Sequence, residues 1–374
     1  MHPEQRSIVA RLRPNADNWL LWLLGAVALL FVLLRPLPLA AYAGLVDWQT
    51  LGALAGLLVI TKGIERSGIL QRTASRVLSR VTDMRRLALL LVAFSAGLSA
   101  VVTNDVSLFL LVPLTRSLAQ QAKLPLARLV VLEALAVNAG SALTPIGNPQ
   151  NLFLWQSSGM GFAAFAAMMA PVVAIMLALL YGAALWLVPR RPIELAPPAD
   201  PGGLSMRWFA ISGALLLAFL AALALHQLWI ALAIVIAVYL LFQHRVLAGT
   251  DWALLLIIGL MFVDLRQLAD LPVITAVVKS LPIGQGLGTY LAGIVTSQLI
   301  SNVPAAILLQ RHVHDLAALA AGVSVGGFGF FVGSLANIIA LRLARAPGAF
   351  GEFHRIAIPF LLVAAAAVAL LLVR

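Results

Sequence analysis

The sequence predicts an all-α integral membrane protein, an inverted-repeat bundle of about nine transmembrane helices, two re-entrant hairpins and two broken helices. Three observations predict it. The chain is 62% hydrophobic and only 10% charged, with a mean hydropathy of +1.01, whereas soluble domains carry about a quarter charged residues. Polar runs rich in Gly, Pro and Asn interrupt strongly apolar stretches. Such backbone is tolerated at membrane depth only where it is buried in protein or lines a cavity. Finally, these features recur in the same order in the two halves.

Composition also excludes several classes. Net charge is +11, from 25 Lys plus Arg against 14 Asp plus Glu. The basic residues gather in short loops, where they bear on orientation rather than on a nucleic acid partner. Cysteine is absent, which removes disulfides, thiolate metal sites and catalytic cysteines. The first apolar run follows no signal-peptide cleavage pattern and is expected to be retained. With no Walker motif, nucleophile–base pair or metal-ligand cluster, neither ATP-driven action nor an enzyme is expected. His312 and His314 beside Asp315 read as a solvated loop. Gly326-Gly327-Phe328-Gly329 lacks the preceding strand of a dinucleotide fingerprint and suits close helix packing.

In chain order, residues 1–18 are polar and basic, and 19–34 form a first span, closed by Arg35-Pro36-Leu37-Pro38. Asp47-Trp48 opens a second span to about residue 64. Over 68–86, Ile69, Leu70, Ala74, Val77, Leu78 and Val81 recur at helical spacing opposite Arg72, Arg76, Arg80 and Arg85, the pattern of a helix on the membrane surface. Residues 87–118 are apolar but broken at Thr103-Asn104-Asp105. Basic residues flank both ends, which a hairpin entering and leaving on one face explains. A span over 128–156 is interrupted at 144–149, and 162–188 is uninterrupted. After a soluble-like linker at 192–206 come spans at 208–225 and 228–242. Asp251-Trp252 opens another span, to about 263, and 270–288 is weakly amphipathic. A second hairpin, 289–311, breaks at Ser301-Asn302-Val303-Pro304. A second broken helix, 316–343, is interrupted by Gly326-Gly327 and by Gly333-Ser334-Leu335-Ala336-Asn337. Residues 356–373 close the chain. The organisation is therefore a first repeat over 1–188, a cytoplasmic linker and connecting helix over 189–227, and a second repeat over 228–374.

The repeat pairs Asp47-Trp48 with Asp251-Trp252, Asn104 with Asn302, and Asn151 with Asn337. With a cytoplasmic N-terminus, the loops at 62–86, 116–128, 190–207 and 342–355 fall inside and the uncharged loop at 157–161 outside, as the positive-inside rule requires. Arg266, Lys279 and Arg311 are exceptions. Inverted repeats with broken helices place a site near the bilayer midplane, the architecture of secondary transporters.

The interruptions carry their own chemistry. Helix N-termini have partial positive charge and free N–H groups, so converging helix ends can bind an anion although no Lys or Arg lies in any interruption. The candidate substrate contacts are Thr103, Asn104, Ser141, Thr144, Asn148, Asn151, Ser301, Asn302, Ser334 and Asn337. A coupling ion would be held by Asp105 with backbone or side-chain oxygens at Asn104, Gly147, Asn302 and Gly333. Sodium is the one metal this set admits, and no cofactor is expected. Asp105, a carboxylate at membrane depth, reads as a sodium ligand or proton carrier, or as the N-cap of the second hairpin arm. Val303 stands at its counterpart, so a coupling site would be asymmetric. Glu133, near the inner end of its span, reads as structural or interfacial, and Asn138 stays open.

At Val102-Thr103-Asn104-Asp105, Val112-Pro113-Leu114, the run from Ser141 to Asn151, Asp47-Trp48 and Ser301-Asn302-Val303-Pro304, the sequence resembles the ion transporter superfamily. That group joins divalent-anion symporters, citrate transporters, arsenite permeases and related antiporters. The Thr144-to-Asn151 run looks most like the arsenite-permease and silicon-efflux branch, including small bacterial anion transporters. The resemblance implies two hairpins and two unwound helices around a shared site, a homodimer in the bacterial inner membrane, and an elevator-like motion. Dicarboxylate members carry Ser-Asn-Thr at both hairpin tips. This chain departs from that with Thr103-Asn104-Asp105 and Ser301-Asn302-Val303, which leaves the cargo open. The expected function is secondary transport of a small anion or oxyanion driven by a sodium or proton gradient. Metalloid (arsenite or silicic acid) efflux, sodium/proton antiport and a passive channel are the alternatives.

Overall fold

The computed structural model describes residues 19–78, 80–194, 204–273 and 286–373. The basic N-terminal segment, the centre of the linker and most of the 270–288 stretch lie outside the described residues. The described chain is helical, and it forms two compact units that cut across the sequence halves: residues 1–63 with 212–278, and 64–211 with 279–374.

The first unit begins with α1 (Trp19–Leu34), ended by the expected prolines, and a short α2 (Leu39–Leu45) that periodicity did not reveal. The Asp-Trp signal opens α3 (Trp48–Arg66), whose last residues belong to the second unit. Most of α10 (Met206–Ala224) joins it from the second half, with α11 (Leu228–Phe242), a second unforeseen short helix α12 (His244–Gly249), and α13 (Trp252–Ala269). Glycines let α3 come close to aromatic rings. A Cβ at Gly56 would meet the Phe219 ring at 2.2 Å, and one at Gly63 would meet the Tyr239 hydroxyl at 2.1 Å. That hydroxyl donates to Ser212 Oγ at 2.8 Å.

The two Asp-Trp openings are built alike. Asp47 accepts from Thr50 N at 3.0 Å and Asp251 from Leu254 N at 3.2 Å, each capping its helix. The Trp48 indole donates to Ala43 O at 2.9 Å and the Trp252 indole to Leu247 O at 2.8 Å, each tying the helix to the short helix before it.

The second unit holds α4 (Ile69–Leu78), α5 (Met84–Val101), α6 (Asn104–Ala122), α7 (Leu126–Ser141), α8 (Pro149–Ser158) and α9 (Phe162–Leu187). From the second half it takes α14 (Leu287–Ile300), α15 (Asn302–Gln310), α16 (Leu316–Val325), a 3-10 turn at Phe331–Gly333, α17 (Leu335–Ala344) and α18 (Ala349–Leu372). The surface helix is shorter than expected. α4 stops at Leu78, and residues 84–86 instead open α5, capped by Asp83, whose carboxylate accepts from Arg86 N at 3.0 Å. Arg85 reaches Val188 O at 2.7 Å rather than joining the arginine face. α18 begins seven residues before the expected 356, at Ala349.

Four described helices, α5, α9, α10 to Leu223, and α18, are each long and apolar enough to cross a membrane. α7 differs from them: every residue from Leu129 to Ser141 is buried, as in a helix enclosed by others on all sides. α5 crosses it where a Cβ on Gly140 would lie 2.2 Å from Ala96 O. In the second half α14 crosses α16 in the same manner, with Gly322 against Tyr290 O. Small residues at such crossings let backbones touch. After the breaks the halves interlock: α6 packs on α17, and α15 packs on α8.

Candidate functional site

Both apolar runs expected to break do so within one or two residues. Val102 and Thr103 separate α5 from α6, and Ser301 alone separates α14 from α15. Thr103 (φ 139°, ψ 159°) and Ser301 (φ 77°, ψ 155°) hold the same kind of backbone, a region that side chains other than Gly rarely enter. Each precedes an Asn that opens the next helix. Both hydroxyls, Thr103 Oγ1 and Ser301 Oγ, are buried and have no hydrogen-bond partner. Buried hydroxyls left without a partner are costly and call for an explanation.

The tips meet the unwound segments. Asn104 N donates to Gly147 O at 2.9 Å, joining the first tip to the first break. The Asn302 amide nitrogen lies 3.3 Å from the position a Cβ would take on Gly327, in the second break. Asp105 is buried in the first turn of α6, one residue inside the helix rather than at its cap. The partial positive charge of the helix N-terminus favours its carboxylate there. Val303, its counterpart, is also buried.

The two breaks are built on one plan. Asn148 caps α8, its side chain accepting from Asn151 N at 2.9 Å, while Ser334 caps α17, accepting from Ala336 N at 3.3 Å. The third residue after each cap is an Asn that turns back on its own break. Asn151 Nδ2 donates to Ala142 O at 3.0 Å and Thr144 O at 3.2 Å, and Asn337 Nδ2 to Gly327 O at 2.9 Å. The residue before each cap is a glycine pressed on backbone. A Cβ on Gly147 would stand 2.2 Å from Ser141 O, and one on Gly333 2.7 Å from Gly326 O.

These partners sort the expected contacts. Thr144 Oγ1 donates to Ala100 O at 2.6 Å, anchoring the break to the end of α5. Ser141 Oγ accepts from Asn148 Nδ2 at 3.0 Å. Asn151 donates through its amide but leaves Oδ1 buried and unpartnered. Gly147 offers its carbonyl to Asn104, and Gly333 N donates to Phe330 O. Among the described residues of the tips and breaks, the buried side-chain atoms with no partner include Thr103 Oγ1, Ser301 Oγ and Asn151 Oδ1, together with Gln150 Oε1 and Ser324 Oγ.

Three groups were missed or left open by sequence reasoning. Asn138 on α7 donates to Asn337 Oδ1 at 2.8 Å, a bond between the two halves. Gln298 on α14 holds the second break open, donating to Gly326 O at 2.6 Å and Phe328 O at 2.7 Å and accepting from Phe330 N at 2.8 Å. Its signal was a polar Thr-Ser-Gln run inside an apolar helix. Glu133 lies mid-helix rather than near the end of α7, fully buried, with Oε1 accepting from Thr115 Oγ1 at 2.6 Å. An interfacial place for it is excluded, and a structural one fits.

The arrangement offers hydroxyls, amides and helix N-termini but no Lys or Arg, so it can hold an anion or a polyhydroxy acid by hydrogen bonds and dipoles. The sequence profile of the citrate transporter family (CitMHS) matches residues 17–323. The inner membrane protein YbiR of Escherichia coli is 40% identical over 347 residues, 92% of each chain. An uncharacterized transporter of Methanocaldococcus jannaschii is 28% identical over 342 residues, covering 90% of this chain and 92% of that one. A silicon efflux transporter of Oryza sativa subsp. japonica is 31% identical over 125 residues, 33% of this chain and 26% of its own. With a family profile and a relative of this identity both spanning most of its length, the chain belongs to the citrate transporter family of integral membrane transporters.

Proposed function

We propose that the protein is a secondary active transporter of a small anion or oxyanion, driven by a sodium or proton gradient. The substrate sits between the two tips and the two breaks. The observation that carries this is the matched pair of strained tips with buried, unpartnered hydroxyls, Thr103 Oγ1 and Ser301 Oγ. Asn104 and Asn302 open the helices beside them, and Asn151 Oδ1 supplies a further open acceptor. Asn148, Ser141, Thr144 and Ser334 shape the breaks around the substrate. Asp105 is the coupling group, as sodium ligand or proton carrier, together with nearby carbonyl oxygens. The matched Asp-Trp openings and the matched breaks support the inverted repeat, with about nine crossings and two re-entrant hairpins. The arginine-rich loops support a cytoplasmic N-terminus, and the resemblance supports a homodimer.

A second reading is efflux of a neutral metalloid acid, hydrogen-bonded by the same groups. It is favoured by the absence of Lys and Arg from the interruptions and by the name of the rice relative. Uptake into proteoliposomes separates these cases. Citrate, phosphate, arsenite and silicic acid are offered with sodium, proton or no gradient, to wild type and to Asp105→Asn. Loss of one charged ligand is expected to lower gradient-driven transport about 10- to 100-fold. Unchanged sodium and pH dependence in the variant would remove the coupling role, and equal flux without any gradient would indicate a channel.

A further inference from the structure

The second unit carries a cavity at each of two corners that correspond in the repeat. One, of about 360 Å³, lies where the ends of α8 and α15 meet the start of α16; Ser157, Ser158, Gln310 and His314 line it, with no Lys or Arg. The other, of about 580 Å³, lies where the ends of α6 and α17 meet the starts of α7 and α18. Its walls include Arg116, Arg128 and Arg345 against one carboxylate, Glu352. Glu352 is already engaged by Arg128, at 2.9 Å, and by Arg355. Arg128 also donates to Leu187 O at 2.9 Å. Arg116 and Arg345 have no ion pair among the described residues, so two guanidinium groups face the space without a counter-charge.

The backbone adds to this. Both helices that start at the cavity, α7 after Pro125 and α18 after Gly348, lack a side-chain cap. Leu126 N is taken by Leu124 O at 2.8 Å and Ala349 N by Ala346 O at 3.2 Å, but each helix start still presents the positive end of a helix dipole to the cavity. Guanidinium forks and helix N-termini converging from several directions suit a tetrahedral oxyanion, whose oxygens point outward on every side, better than a planar carboxylate. Arg116 lies twelve residues beyond Asn104 on α6, roughly 18 Å along the helix axis, so this space is separate from the tips.

We propose that the arginine-lined cavity at the corner of α6, α7, α17 and α18 binds a phosphate-class oxyanion, free or as the headgroup of an anionic phospholipid. The proposal does not depend on what the tips transport. Its test uses the purified full-length protein in two arms. In detergent, thermal unfolding is followed against inorganic phosphate, with sodium chloride at matched ionic strength. In mixed phosphatidylglycerol and phosphatidylcholine micelles, retained lipid is counted by native mass spectrometry. A phosphate-dependent rise in Tm identifies a free anion, and retention of phosphatidylglycerol over phosphatidylcholine identifies a headgroup. In either arm the Arg116→Ala/Arg345→Ala double variant is expected to bind at least about tenfold more weakly. If that variant does not fold, Arg116→Lys/Arg345→Lys keeps the charge and loses the fork, and is expected to bind measurably less well. No response to either probe, or variants that bind like wild type, would overturn the proposal.

Discussion

The two tips, at Thr103 and at Ser301, share a backbone and differ by a charge. At each, a hydroxyl residue holds a left-handed φ and an Asn begins the next helix. At each, the hydroxyl is buried without a partner. The residue after the Asn is different: Asp105 in the first turn of α6, Val303 in the first turn of α15, both buried. The arms differ too, 19 residues against 9. Geometry that is kept twice, at a cost in strain, points to a task common to both tips. Chemistry present only once points to a task belonging to one. Under the proposed function, substrate contact is the shared task and charge coupling the single one.

The breaks test the shared part most severely. Gly147 and Gly333 hold the same place before their caps, but a Cβ would lie 2.2 Å from Ser141 O in one and 2.7 Å from Gly326 O in the other. Neither neighbour is a flexible side chain, so backbone must move. Overpacking of this kind costs about 1–3 kcal/mol. Gly147→Ala is expected to lower Tm the more, Gly333→Ala the less, in thermal unfolding of the purified protein. Equal losses would mean that the two breaks relax alike despite their different clearances.

The tips supply a smaller effect with an unusual sign. Thr103→Gly and Ser301→Gly release a backbone that only glycine adopts without strain, and each removes a hydroxyl that has no partner in the folded protein. The relief is about 1 kcal/mol or more, set against the greater freedom glycine gives the unfolded chain. Both variants should therefore unfold no earlier than wild type while binding transported substrate more weakly. If either loses stability, its hydroxyl has a structural role and the likeness of the tips ends at the backbone.

The helix breaks that frame the candidate site are legible in the sequence. In a lipid solvent, irregular backbone must be protected, so Thr103-Asn104-Asp105 and Ser301-Asn302 stand out as polar runs in apolar sequence. What sequence cannot supply is the partner of each polar atom. Thr144 and Ser141 look no different from Thr103, yet their hydroxyls close on Ala100 O and Asn148, and only Thr103's is open. The Asn138–Asn337 bond joins positions far apart in the chain, and no local pattern marks it. The same limit hides the compact units, which draw on both halves. The short helices α2 and α12 escape notice because seven and six residues are too few to display a period.

The Asp-Trp pairs give the mildest and most symmetrical test. Asp47 and Asp251 cap their helices through the same oxygen-to-N–H bond, three residues ahead, at 3.0 and 3.2 Å. Loss of such a cap costs about 1 kcal/mol. Asp47→Ala and Asp251→Ala are expected to lower Tm by similar small amounts, and additively, since the two caps share no partner. Asp47→Asn and Asp251→Asn should restore most of the loss, because an amide oxygen caps as well as a carboxylate. Rescue at both positions would identify the motif as a folding signal repeated by the architecture. If Asn failed at one position alone, the charge itself would matter there, and the halves would differ at the helix starts as they do at the tips.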